Sequence, residues 1–406
     1  MRFFTLLFAL ASTTLFAASN VDTPGLEDHE VEALRDWINT KRKVSIKERG
    51  GNLSISGEVR TELQSTNEKK NGVKQRGSGG EVKNTPIRDW DIEANLLLDY
   101  RTDRTWATIK LRFDNAAGTE TGTSDKLKLD RAFLGGRIVN ADDYTMDLEF
   151  GRRGFGYTFD SKVMFCSTMD GILYKYDQAL ETIGDLYFHG GPFLINENID
   201  QYGYVGECGL LNVGRTGLYT KIAAIYWNTK HTSNKLQNRA YRFFPIQWIW
   251  GYKFRPFGKI TTLYAAGLYN PRAHGTAVSY GKRKAWAWYT GFSVGELRKQ
   301  WDWSFDINYQ WVQLQAIPDF DGSGIGRGNA AKTGLYSTKS KGEGSALVAG
   351  QGVGAGNYKG LAVEFLYLLT NNITVYQAWR QSVNQDASIK PTFSYKQYEI
   401  ELIYGF

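Results

Sequence analysis

The chain has 406 residues, a formal net charge of +7, 14% aromatic residues and 44 glycines, with a mean hydropathy of −0.41. Past the first 20 residues no apolar run approaches the roughly 18 to 20 residues of a transmembrane helix, which excludes a helical membrane protein. The mild basic excess is spread among many acids and forms no patch that would mark a nucleic-acid partner, and two cysteines, Cys166 and Cys208, make neither a disulfide framework nor a metal spacing.

The N-terminus carries Arg2, an apolar stretch over 3–16, and the small residues Ala17, Ala18 and Ser19. This pattern predicts a secretory signal peptide over 1–19, removed near Ser19, and an exported mature chain. Over 20–50 a periplasmic segment is expected. Within it, Val31, Leu34 and Ile38 fall at helical spacing, and Lys41, Arg42 and Lys43 stand where a helix dipole favours cations.

From residue 51 to 406 the pattern changes to strict alternation. In NLSISGEVRTELQ, starting at Asn52, the residues Leu53, Ile55, Val59 and Leu63 share one face, and Ser54, Ser56, Glu58, Arg60 and Glu62 share the other. The same two-faced reading holds for Trp90, Ile92, Ala94, Leu96 and Leu98 against Asp91, Glu93 and Asn95, and for Ile109, Leu111 and Phe113 against Thr108, Lys110 and Arg112. It continues with Met146, Leu148 and Phe150 against Asp147 and Glu149, and with Trp301, Trp303, Phe305, Ile307, Tyr309 and Trp311 against Asp302, Ser304, Asp306, Asn308 and Gln310. Such bulky apolar rows crowd the core of a soluble sandwich, whereas lipid accepts them.

Connections alternate between short ones, such as RTDR, NADD and VGRTG, and long ones, among them the Gly-rich, basic stretch over 321–360, which reads as an outer loop. Counting them predicts an all-β fold, a transmembrane antiparallel β-barrel of about 16 strands with both ends periplasmic and a short N-terminal helix outside it. A tight turn pairing Tyr100 with Thr105 would set Glu93 opposite Arg112 and Asn95 opposite Lys110. It would also leave Glu149 diagonal to Arg131 on the next hairpin, and Glu399 and Glu401 close to Glu58 and Arg60 at the closing seam. Asp91, Lys110, Arg112, Arg131, Asp147 and Glu149 join these as expected pore-lining residues.

The chain ends in YEIELIYGF, with Tyr398, Ile400, Leu402, Tyr404 and Phe406 on one face. Here it resembles the bacterial outer-membrane β-barrel family, whose last strand ends in Phe after alternating apolar residues, a pattern read by the β-barrel assembly machinery. The resemblance extends to general porins across the whole of 52–406, and more closely to the major porins of chlamydia-like bacteria, whose best-known members are richer in cysteine. It implies an outer-membrane channel for small hydrophilic solutes and ions, bare of cofactor or metal, in contact with outer-membrane lipid; a homotrimer is one form such channels take. By the same resemblance the third outer connection, with Arg152, Arg153 and Asp160, folds inward as a constriction. The alternative is an adhesin or structural barrel with a closed lumen. An enzyme is not expected: of four histidines, His29, His231 and His274 lie in tail or loops, and His189 has no serine in a recognisable motif.

Overall fold

The computed structural model describes residues 44–48, 51–81, 86–116, 127–197, 200–228, 243–273, 275, 281–318, 321–325, 356–389 and 392–406. The expected signal peptide and the helical pattern over 31–43 lie outside them. The first described element is instead a strand, β1 (Val44–Glu48).

Sixteen long strands form the wall: β2 (Gly51–Lys70), β4 (Arg88–Arg101), β5 (Thr105–Ala116), β6 (Leu127–Asn140), β7 (Tyr144–Gly154), β8 (Thr168–Leu180), β9 (Gly184–Asn196), β10 (Gln201–Val213), β11 (Leu218–Tyr226), β12 (Ile246–Phe254), β13 (Thr261–Tyr269), β14 (Trp286–Gly295), β15 (Trp303–Val312), β16 (Tyr358–Leu368), β17 (Ile373–Asn384) and β18 (Phe393–Gly405). Each pairs antiparallel with its neighbour, and β18 pairs with β2 from Phe393 opposite Lys70 to Gly405 opposite Glu58, closing the barrel. The stub β3 (Val73–Lys74) folds back on the end of β2 through an Asn71-Gly72 turn, both residues at positive φ as a two-residue hairpin of this hand requires. Below the end of β18, β1 takes over its edge position by pairing with residues 51–55. Closure leaves no long unpaired edge, which lipid would not tolerate.

The two faces separate as the alternation predicts. Leu134 and Ile138 are each 59% exposed on the outside, whereas Glu401 is 2% and Glu149 3% exposed on the inside. Aromatic side chains gather at both ends of the outer surface, with Tyr202, Tyr204, Trp286 and Trp288 toward the long loops and Tyr252, Trp301, Tyr404 and Phe406 toward the short turns. Phe406 completes the seam by exchanging backbone hydrogen bonds with Gly57, at 2.9 and 3.0 Å. Gly57 is required there, because a Cβ would stand 2.6 Å from the Phe406 ring.

Three expectations of detail change. The outward row of β15 starts at Trp303, since Trp301 sits in the preceding turn with φ of 75°. Between β4 and β5, Tyr100 pairs with Ala107 because the turn closes between Thr102 and Thr105, through a 2.8 Å backbone bond. Glu93 therefore faces Asp114, and Asn95 faces Arg112; a shift of two residues moves partners but keeps every side chain on its face. A bulge beyond Arg137 in the β6–β7 pairing carries Arg131 away from Glu149, which faces Gly135 instead.

Replacing Leu402 or Ile109 by Arg places a cation on the lipid side, at a cost of about 2–4 kcal/mol near the midplane. Both variants are expected to lose folded barrel, measured as the heat-modifiable band in outer-membrane fractions. Thr108→Arg, on the inner face, is expected to retain it.

Candidate channel constriction

Inward-facing positions of six adjacent strands assemble an arc of ion pairs. On β4, Glu93 receives the Arg60 guanidinium from β2 and Arg112 Nη2 from β5, the latter at 2.7 Å. Arg60 Nη1 also lies 3.5 Å from Glu401 Oε2 on β18, and Asn95 Nδ2 donates to Glu58 Oε1 at 2.7 Å. On β17, Arg380 contacts Glu399 Oε2 at 2.6 Å and Glu364 Oε1 at 3.3 Å. Although Glu62 and Glu401 are paired across the seam, Arg60 offsets that like-charge contact. Glu62, Glu399 and Glu401 have carboxylate oxygens within 4.8 Å of one another, but Arg60 and Arg380 already neutralise two of them.

A second cluster stands on β5 to β8. Glu149 accepts from Trp106 Nε1 at 2.9 Å and Lys175 Nζ at 2.9 Å, and pairs with Arg153 at 2.5 Å. Arg131 lies over the Tyr157 ring, 3.2 Å from its centroid, and Arg153 over Phe133 at 4.1 Å. Tyr157 belongs to the third long connection, residues 155–167, so these cations meet the loop as well as the wall.

That connection folds into the lumen. Phe155 and Phe159 are buried in an apolar cluster with Phe193 and Trp227, the Phe155 ring meeting Phe193 edge-on at 5.0 Å. Past them the loop crosses to the far wall, where polar side chains fasten its backbone. Gln247 Nε2 donates to the Asp160 carbonyl at 2.6 Å and Gln247 Oε1 accepts from Ser161 Oγ at 2.7 Å; Gln310 Nε2 donates to the Lys162 carbonyl at 3.2 Å. Asp160 N–H donates to Glu207 Oε2 at 3.1 Å, and Lys162 Nζ lies 3.5 Å from Asp306. The base of the long seventh connection joins them: Asp321 Oδ1 accepts from Ser167 N–H at 3.0 Å, and Ser323 N–H donates to the Val163 carbonyl at 2.9 Å. Residues 321–325, expected in an exposed outer loop, thus lie largely inside the barrel; 326–355 fall outside the described residues.

Among the expected constriction residues, Arg153 points inward. Arg152, one position along the strand, necessarily points outward and makes a bidentate pair with Asp170 at 2.7 and 2.8 Å. Asp160 is engaged by Lys221 on the far wall. Asp91 is half-buried on the inner face toward the long loops, and Asp147 near the short turns is held by Arg137 at 2.8 and 3.2 Å. His189 contacts Asp177 at 3.2 Å on the same inner face. His29, His231 and His274 lie outside the described residues, and neither Cys166 nor Cys208 forms a disulfide among the described residues.

Sequence reasoning missed the far-wall anchors Gln247, Gln310 and Asp306. Alternation puts Asp306 and Gln310 on the polar face of β15 but gives them no role, and the signal for Gln247 is its standing as a lone uncharged polar side chain among the apolar and aromatic residues of IQWIWGYKF.

No protein-family model and no curated protein matches the sequence. Solved structures do. Pseudomonas putida OprB is 8% identical, with a TM-score of 0.50, over 87% of this chain and 94% of its own. Salmonella typhi OmpF, in a complex with daunomycin, is 11% identical, with a TM-score of 0.49, over 89% of this chain and all of its own. A mutant Rhodopseudomonas blastica porin is 10% identical, at 0.43, over 87% and 100%. At such identities the likeness to OprB concerns the fold, a closed barrel, and the apolar outer belt places this one in an outer membrane.

Burial pushes the Asp321 carboxyl up to about 7, against the pull of the backbone N–H groups that favour its charged form. Because this value lies above the unfolded one of about 4, the folded state binds the proton more tightly, and stability falls as pH rises from about 4 through 7. Asp321→Asn keeps an acceptor for Ser167 N–H but cannot titrate. Its unfolding midpoint in detergent, compared with that of the natural chain, is expected to gain between pH 5 and pH 8; an unchanged difference would exclude this carboxyl as a source of pH dependence.

Proposed function

We propose that this protein is an outer-membrane porin, a water-filled channel for passive diffusion of small hydrophilic solutes and ions, narrowed at the third connection. The observation that carries the reading is the asymmetric fixing of that loop. Its apolar side and backbone are fastened to β10–β15, while the opposite wall keeps a continuous surface of charged groups of both signs from β16 round to β8. A barrel this wide cannot be filled by its own side chains. Charges packed for stability alone need not be drawn up in an arc around one side of a lumen; a wet passage requires such a lining. Glu58, Arg60, Asp91, Glu93, Lys110, Arg112, Arg131, Asp147, Glu149, Glu399 and Glu401 are assigned to this lining, with Arg153 and Asp160 at the edges of the narrow part. Export through the signal peptide over 1–19, recognition of the Tyr398 to Phe406 row by the assembly machinery, and assembly as a homotrimer belong to the same proposal.

Because acids and bases alternate along the arc, selectivity is expected to be weak, with a slight preference for anions from the basic excess of the chain. Purified protein is expected to open stepwise ohmic conductances in planar bilayers. Absence of conductance from a protein with a heat-modifiable band would instead support the closed-lumen barrel. Arg112→Glu changes the local charge by two, worth about 1 kcal/mol for an ion passing at ~8 Å in water before screening. The cation-to-anion permeability ratio, read from the zero-current potential in a salt gradient, is expected to rise by roughly two- to fivefold. An unchanged potential in a conducting mutant would move selectivity away from this wall.

A further inference from the structure

The outer face of the closing seam is unlike the rest of the belt. On β16, β17, β18, β2 and β4 the outward positions carry no charge from the short-turn end up to a row containing Trp379 and Tyr398; they are apolar apart from Thr61 and from Gln377, whose Oε1 accepts from Tyr398 OH at 3.0 Å, and from that row upward the chemistry changes. In the row of Trp379 and Tyr398 stands Arg88; two residues higher come Gln381, Lys396 and Asn67; two higher again Lys359, Val383, Ser394, Lys69 and Lys74 share one register row across five strands. All five cations project outward. Every carboxylate of these strands, including Glu68, Asp89, Glu364, Glu399 and Glu401, falls on the inward parity, so none can answer them from the same face. Among the described residues, none of the five forms an ion pair. Lys69 and Lys74 are moreover directly opposite in the β2–β3 hairpin, a like-charge arrangement that is unfavourable until an anion lies between them.

Other strands treat their outward positions near the long loops differently. Trp311 occupies the Lys359 row on β15, and the outward cation Arg152, near the long-loop end of β7, is neutralised by Asp170. The cationic rows therefore stand just above lipid-facing side chains, on the long-loop side of the membrane. We propose that this seam binds the phosphates of an anionic glycolipid headgroup in the outer leaflet. The lysines would clasp the phosphates while the acyl chains run down over Trp379, Tyr398, Ile400 and Leu63. This rests on the outer-membrane placement of the barrel and is independent of whether its lumen conducts.

The test uses full-length protein in detergent, titrated with bisphosphorylated lipid A and with dephosphorylated lipid A, counting bound lipid by native mass spectrometry. The natural chain is expected to prefer the phosphorylated form, and Lys69→Glu with Lys396→Glu to lower that preference by roughly tenfold or more, each lysine near a charged lipid surface being worth about 1 kcal/mol. Should the double reversal fail to fold, Lys69→Gln with Lys396→Gln is expected to lower it by at least about threefold. Equal binding of both lipids by the natural chain, an unchanged preference in folded variants, or release of the lipid by inorganic phosphate alone would overturn the proposal. Conductance recorded on the same preparations separates the two readings, since a lipid-binding protein that does not conduct would overturn the channel only.

Discussion

Everything in this molecule follows from one constraint, that a backbone inside lipid must find all its hydrogen-bond partners within the protein. Sheet structure meets it only when closed, and the closing pair here is β18 with β2, completed by Phe406 on Gly57 and by β1 beneath. Closure in turn forces each strand to present one face to lipid and one to the lumen. A residue's parity then decides its chemistry, which is why Arg152 and Arg153, adjacent in sequence, have unrelated partners.

Inside, closure creates a volume that wall side chains cannot fill. The third connection and the base of the seventh fill one side of it with an apolar cluster. Glycines make room along that wall: opposite Gly203 lies the Phe193 ring, opposite Gly209 that of Tyr187, and opposite Gly251 that of Tyr219, each so near that a Cβ would collide with it. Rings laid flat over a neighbouring glycine thicken the wall without crossing the lumen. Anchoring of the inserted loop is then polar, through Gln247 and Gln310, because its backbone carbonyls are themselves buried and need partners, and through Asp306, which meets the buried Lys162 ammonium.

The opposite wall works by electrostatics. Arg60, Glu93, Arg112 and Glu401 neutralise one another across three strand junctions, so the arc carries dense charge and little net charge. Such mutual pairing holds long side chains back against the wall, and it leaves a polar surface along the side that the inserted loop does not occupy. Cations on the outside of the seam lack this compensation for a geometric reason, since their strands place every acid on the lumen side.

By itself the sequence determined the fold class, the side to which the residues of each unbroken strand point and the closing C-terminal row, because a period of two is a local property of the chain and needs no knowledge of neighbours. The alternation of long and short connections similarly carried the strand count to sixteen. Register was beyond it: the β4–β5 pairing slid by two residues through the Thr102–Thr105 turn, a change invisible to a face-counting argument because it preserves faces, and a bulge beyond Arg137 moved Arg131 relative to Glu149, while another at Asp130 reversed the parity, leaving Leu129 outside and Arg131 inside. The anchoring of residues 155–167 against β12 and β15, and the burial of 321–325 beside them, were decided only by the tertiary structure. Those contacts join residues more than 150 positions apart, as Ser167 and Asp321 are at 154, and nothing local to either partner records which wall an inserted loop will meet.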